Sequence, residues 1–175
     1  MEKTADSSAH SVLHSHESLE KFEIFQMAYK FADAANRKDS EMFQSLWDHE
    51  QAEWIIGPPI NVSFRGKENM RSSVEHMLDR WEFFVQLVTG GVVILDGDKA
   101  YARFYVNEIA NSKEGTGNHN LSMYEDELIK REENWFFTKR IYHTIFQSSE
   151  RQLGEMIGVP QIPGWLRAVS LDQRT

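Results

Sequence analysis

The hydrophobic repeat of this chain changes period once, near residue 82, and no other feature limits its architecture as much. Before that point apolar residues recur at helical spacing; after it they alternate. A period of 3.6 buries one face of a helix, and a period of two buries one face of a strand. The alternation runs over 83–95, breaks at Asp96-Gly97-Asp98 and resumes over 99–109. It breaks again over the polar loop 111–117, returns over 119–130, breaks at Glu132-Glu133-Asn134 and ends over 135–146. Asp-Gly between alternating runs signals a hairpin, and connections this short make neighbouring strands antiparallel. The second half is therefore expected to be a four-stranded meander.

The first half reads as helices. Phe22, Phe25, Tyr29, Ala32 and Asn36 recur at steps of three and four, and Ile24, Ala28, Phe31 and Ala35 widen that face. Glu23, Gln26, Lys30, Asp33 and Arg37 form the opposite, polar stripe. Asp39 is placed to N-cap a short second helix carrying Met42, Phe43, Leu46 and Trp47. Residues 50–56 read as a strand, Gly57-Pro58-Pro59 breaks it, and 60–64 return as its partner. Gly66 opens a third helix with Met70, Val74, Met77, Leu78 and Trp81 on one side. Helices followed by a meander give an α+β fold. Long twisted strands would curl over the first helix into a cone-shaped half-barrel, with the helices on the concave face of the antiparallel sheet. A cone has an interior, and interiors of this kind bind small molecules.

The chain has 175 residues, enough for one domain with a sizeable core, and no cysteine. That removes disulfides, thiolate nucleophiles and thiolate-ligated metals together. A net charge of −8 argues against nucleic acid as a partner. No apolar run reaches the ~18 residues of a membrane span, and no signal peptide is visible, so a cytoplasmic protein without a membrane partner is expected. No acidic or histidine cluster has ligand spacing, so neither metal nor cofactor is expected; His10, His14 and His16 read as part of a solvated tail. The expected organisation is a mobile tail over 1–16, one domain over 17–147 and an extension over 148–175. In that extension Gly158, Pro160, Pro163 and Trp165 suggest a pocket cap or an interface.

Three stretches carry a family resemblance. The first is Ala28-Tyr29-Lys30-Phe31-Ala32-Asp33 with Arg37-Lys38-Asp39. The second is 84–91 (FVQLVTGG) with Leu95-Asp96-Gly97-Asp98-Lys99-Ala100. The third is Tyr124-Glu125-Asp126-Glu127-Leu128 with 134–140 (NWFFTKR). In this order and spacing, over about 17–147, they resemble the nuclear transport factor 2-like superfamily in its SnoaL-like branch. The resemblance implies the cone fold and a range of activities: dehydratases, ketosteroid isomerases, polyketide cyclases, small oxygenase subunits and carriers without catalysis. In the dehydratases it implies a histidine–aspartate acid–base pair inside the cone, with tyrosines polarising a carbonyl. This chain departs from that pattern. The aspartate position falls at Asn36, which cannot take a proton at pH 7. The histidine position falls near Leu87 or Thr89, neither of which is a base.

Strand parity supplies other candidates. Ala100, Ala102, Phe104, Val106 and Glu108 share a face, so a lone carboxyl ends an apolar row. Inside the cone Glu108 would be a general base with a raised pKa; at the rim it would be solvated or paired with Arg103 or Arg140. Ser122, Tyr124, Asp126 and Leu128 share a face, with Tyr124 as an oxyanion donor and Asp126 as a base or the partner of a buried arginine. Phe136, Thr138, Arg140, Tyr142 and Thr144 are read as one face, where Arg140 pairs with Asp126 or Glu108 or clamps an anionic ligand. Tyr29, Asn36, Trp54, Leu87, Thr89 and Phe104 complete the expected ligand-binding set. Asp33 reads as a surface ion pair with Arg37, and His49, His76, His119 and His143 as solvent-side or convex-face residues.

The function expected from these readings is a cofactor-independent dehydratase, isomerase or cyclase acting on a hydrophobic oxygenated ring compound, in a chain that forms homo-oligomers. The alternatives are a ligand-binding carrier without chemistry and a small subunit of a larger oxygenase.

Overall fold

A computed structural model describes residues 4–155, with side chains from residue 15. Helix α1 spans Thr4–Asn36. It starts well before the expected boundary at residue 17, because no glycine or proline interrupts 4–36 and Ala5, Ala9 and Leu13 favour the helix. Its buried stripe is Ile24, Ala28, Phe31 and Ala35, with Met27 and Ala34 beside it. Lys38 at φ 55° ends the helix. Its N–H donates to the Ala35 carbonyl, and that of Asp39 donates to the Ala34 carbonyl. These are the paired bonds of a left-handed C-terminal cap. The Asp39 carboxylate then accepts from Met42 N–H at 3.0 Å and opens α2, Ser40–Ser45, as the sequence predicts.

Strand β1, Glu53–Ile56, pairs antiparallel with β2, Val62–Arg65, across the Gly-Pro-Pro turn. Helix α3, Lys67–Asp79, buries Met70, Val74 and Leu78. The meander follows as β3 (Trp81–Asp96), β4 (Lys99–Ser112), β5 (Gly117–Arg131) and β6 (Asn134–Ser148). The sheet order is β2-β1-β6-β5-β4-β3. The small hairpin is thus not separate: β1 joins β6 in parallel, with Trp54 beside Arg140.

Bulges set both the curvature and the facing of side chains. In β3 the register shifts between Val88 and Gly90. Trp81 faces inward ahead of a first shift at Phe83; from Phe84 to Val88 the even residues do, and beyond it Gly91, Val93 and Leu95. Gly91 passes so close to β4 that a Cβ there would strike the Phe104 ring. In β6 one shift skips Thr138 and another skips Ile145. Trp135 and Phe137 therefore face the core, followed by Arg140, Tyr142 and Thr144. This corrects the expected face, since Phe136 and Thr138 point the other way. The β3–β4 and β5–β6 turns use left-handed residues: Gly97 at φ 58°, and Glu132 and Glu133 at 49° and 64°.

The concave face buries an aromatic core of Phe31, Phe43, Trp47, Trp54, Phe104 and Phe137. Beyond β6 the backbone of 149–152 lies across the end of the sheet. Asn111 exchanges two side-chain bonds with the backbone of Gln152, and Gly117 leaves room for Glu150. The Gly-Pro stretch around Trp165 lies outside the described residues. No helix among the described residues is long and apolar enough to cross a membrane.

Candidate functional site

A cavity of about 240 Å³ opens between the helices and the concave face of the sheet. Its walls are apolar: Phe31, Phe43, Trp54, Val74, Leu78 and Phe84. Its floor is polar and lies on the sheet. Register places Gln86 of β3 beside Glu108 of β4, and Glu108 beside Asn120 of β5. Asn118, Tyr124, Tyr142 and Thr144 border that row. The exposed residues Pro59, Ile60, Arg80 and Gln147 mark the open end.

Glu108 is the centre of the floor. It is 8% exposed and forms no ion pair with any described residue. Three amides hold it instead. Gln86 Nε2 donates to Oε2 at 3.1 Å, while Asn118 Nδ2 and Asn120 Nδ2 donate to Oε1 at 3.3 and 3.2 Å. Burial pushes its carboxyl above the ordinary carboxylate range, and the hydrogen bonds pull only partly the other way. Tyr142 Oη accepts from Ser122 Oγ at 2.8 Å and from Asn120 Nδ2 at 3.2 Å. Burial also raises the pKa of Tyr124 and of Tyr142, so both keep their protons at neutral pH.

Asp126 and Arg140 form a second layer, outside the cavity lining. Arg140 Nε and Nη2 donate to the two Asp126 oxygens at 2.8 and 3.0 Å. The guanidinium is 1% exposed and lies 4.0, 4.0 and 4.2 Å from the ring centroids of Phe31, Tyr124 and Phe137. Burial pushes the Asp126 carboxyl up to about 6, against the pull of Arg140. Of the partners the sequence offered for Arg140, the structure takes Asp126.

The other expected residues fall on both sides of the cavity wall. Glu108, Tyr124 and Trp54 line it. Tyr29 is 43% exposed, because the buried stripe of α1 is rotated away from it. Leu87 and Thr89 face the convex side, since the inward residues of β3 at this level are Gln86 and Val88. Phe104 is fully buried beneath the site, edge-on to Phe25 with centroids 5.2 Å apart. Asn36 serves the backbone: its Nδ2 donates to the Gln86 carbonyl at 2.9 Å, and its Oδ1 accepts from Gln86 N–H at 2.7 Å.

Four floor residues were not singled out from the sequence: Gln86, Asn118, Asn120 and Tyr142. Extending the Tyr124 parity back by four positions reaches Asn120, and by six Asn118. Gln86 was hidden by reading the histidine position at its odd neighbours.

The match of the SnoaL-like domain model to residues 16–141 decides the family. The chain belongs to the SnoaL-like domain family. Its solved neighbours share the nuclear transport factor 2-like fold. One, assigned as a scytalone dehydratase from Novosphingobium aromaticivorans, has a TM-score of 0.70 at 16% identity and covers 85% of this chain and 99% of its own. The hexachlorocyclohexane dehydrochlorinase LinA-type3 from Novosphingobium barchaimii has a TM-score of 0.66 at 19% identity, covering 81% and 92%. A third, assigned as an aromatic ring hydroxylase from Novosphingobium aromaticivorans, has a TM-score of 0.67 at 18% identity, covering 73% and 90%. At these identities the likeness is one of fold. No curated protein matches the sequence.

Proposed function

We propose that this SnoaL-like protein is a cofactor-independent lyase or isomerase that moves a proton on a small hydrophobic, oxygenated ring compound, with Glu108 as the acid–base residue. One observation carries the reading: a buried carboxyl at the polar floor of an apolar cavity, cradled by amides and by no cation. Amide donors orient a carboxyl and favour its ionised form less than a paired cation would. Burial raises its pKa above the ordinary carboxylate range, the direction that makes a carboxylate a stronger base. Tyr124, holding its own proton, supplies a donor to an oxygen that gains charge. The apolar walls receive the ring and exclude water. Asp126, committed to Arg140, belongs to the frame.

A second reading, a carrier without chemistry, is favoured by Asn36. The side chain at the family's aspartate position is a carboxamide spent on the β3 backbone, so the carboxyl that the resemblance implies there for a dehydratase is missing. Thermal-shift screening against aromatic polyketides, steroids and terpenoids, followed by product analysis, separates the two. A bound compound that the native chain converts and Glu108→Gln and Tyr124→Phe do not supports the enzyme. One that binds and is recovered unchanged after long incubation replaces it with the carrier.

A further inference from the structure

The amides around Glu108 use their nitrogens and leave two oxygens over. Gln86 Nε2 donates to Glu108, and Asn120 Nδ2 donates to Glu108 and Tyr142. Gln86 and Asn120 are 3% and 4% exposed, and both line the cavity. Their carbonyl oxygens, Gln86 Oε1 and Asn120 Oδ1, are buried with no hydrogen-bond partner. Native interiors rarely leave buried acceptors unpaired, so two at one cavity floor, on the strands either side of Glu108, point to a donor brought from outside. Tyr124 Oη accepts from Gln86 Nε2 at 3.5 Å, and its own proton meets no acceptor among the described residues.

We infer that the floor is built to take a hydroxyl group of the ligand, with Gln86 and Asn120 as the residues that select it; this rests on reading the cavity as a small-molecule site. A hydroxyl accepts from Tyr124 Oη and donates to one of the two amide oxygens, so one group answers the tyrosine and one amide together. A ketone or ether oxygen supplies no donor and leaves both amide oxygens unpaired. A carboxylate sets a second acidic group beside Glu108. An ammonium offers donors, and Glu108 would draw its charge, but it brings no acceptor for the Tyr124 proton. The space fits: an apolar cavity of about 150 Å³ holds one benzene, and this one, at about 240 Å³ and open at one end, has room for two fused rings.

The test uses the full chain and four compounds of one shape: 2-naphthol, 2-methoxynaphthalene, naphthalene and 2-naphthoate, with Kd measured by calorimetry. The expected result is that 2-naphthol binds about tenfold or more tighter than 2-methoxynaphthalene, with 2-naphthoate weakest. In Gln86→Met and Asn120→Leu the preference should shrink toward unity while 2-methoxynaphthalene keeps its affinity. Equal affinity of the native chain for 2-naphthol and 2-methoxynaphthalene would overturn the hydroxyl inference and leave the small-molecule reading standing. Binding of none of the four, nor of the wider panel, would overturn both. The ranking on the native chain decides even where a variant fails to fold.

Discussion

Replacing Arg140 by methionine tests how much of the sheet's stability rests on one buried charge pair. The methionine fills much of the arginine stem's volume but removes the two bonds to Asp126 and the stack on Phe31, Tyr124 and Phe137. Asp126, whose side chain has no exposed surface, is left as an unpaired acid. Removing one partner of such a pair costs about 3–5 kcal/mol. In a chain of this size that lowers Tm by roughly 6–20 °C, at about 2–4 °C per kcal/mol. The loss should also depend on pH. With the pull of Arg140 gone, burial alone sets the folded pKa of Asp126, further above its ordinary value of 3.8. The folded variant then holds its proton more tightly than the unfolded chain. Stability therefore falls as pH rises from about 4 through the folded value, and the variant is least impaired in acid. Urea unfolding at several pH values measures this. A second chain, Asp126→Leu with Arg140→Met, carries no charge to strand and should recover most of the loss. The reasoning is refuted if Arg140→Met costs less than about 1 kcal/mol, if its cost is flat with pH, or if the double variant is no more stable than the single.

Glu108→Gln should be more stable than the native chain near and above neutral pH. The raised folded pKa of Glu108 makes native stability decline as pH climbs out of the carboxylate range, and glutamine removes that decline; Tm against pH for both chains shows it. Asn36→Asp, which places a carboxyl where the resemblance implies one, should destabilise by about 1–3 kcal/mol and add no activity. A carboxylate there faces the Gln86 carbonyl without a donor, and urea unfolding beside turnover assays checks both halves. Gly117→Ala drives a Cβ into the Glu150 carbonyl. It should cost about 1–3 kcal/mol and expose 149–152 to limited proteolysis.

Most of the architecture was legible in the sequence because it follows from periodicity. The change of repeat near residue 82 located the meander, Asp39 announced the second helix, and the row from Ala100 to Glu108 gave the concave face of β4 correctly. What was lost was lost at irregularities. A bulge at Thr138 turns Phe136 and Thr138 outward while Arg140 and Tyr142 point in, and alternation alone cannot register a skipped residue. On α1 aromatic residues occupy both faces, so Phe22 and Tyr29 carried the same weight as Phe25 and Phe31 although they face solvent. The site was half visible. A carboxyl closing an apolar row is a signal, and Glu108 gave one. Gln86 and Asn120 carry no such mark: an inward amide reads like any polar residue until its neighbours across three strands are known.

The two bonds between Asn36 and Gln86 have a consequence for solubility. Strand β3 lies at the edge of the sheet, and an edge strand offers a ladder of free backbone groups to any extended chain that meets it. At Gln86 both of those groups are already taken by a carboxamide shaped like a peptide bond. A visiting strand in register across this level would have to displace Asn36, and with it the end of α1. The side chain that sets the level of the site's floor thus also works as a guard against strand addition and the aggregation that follows from it.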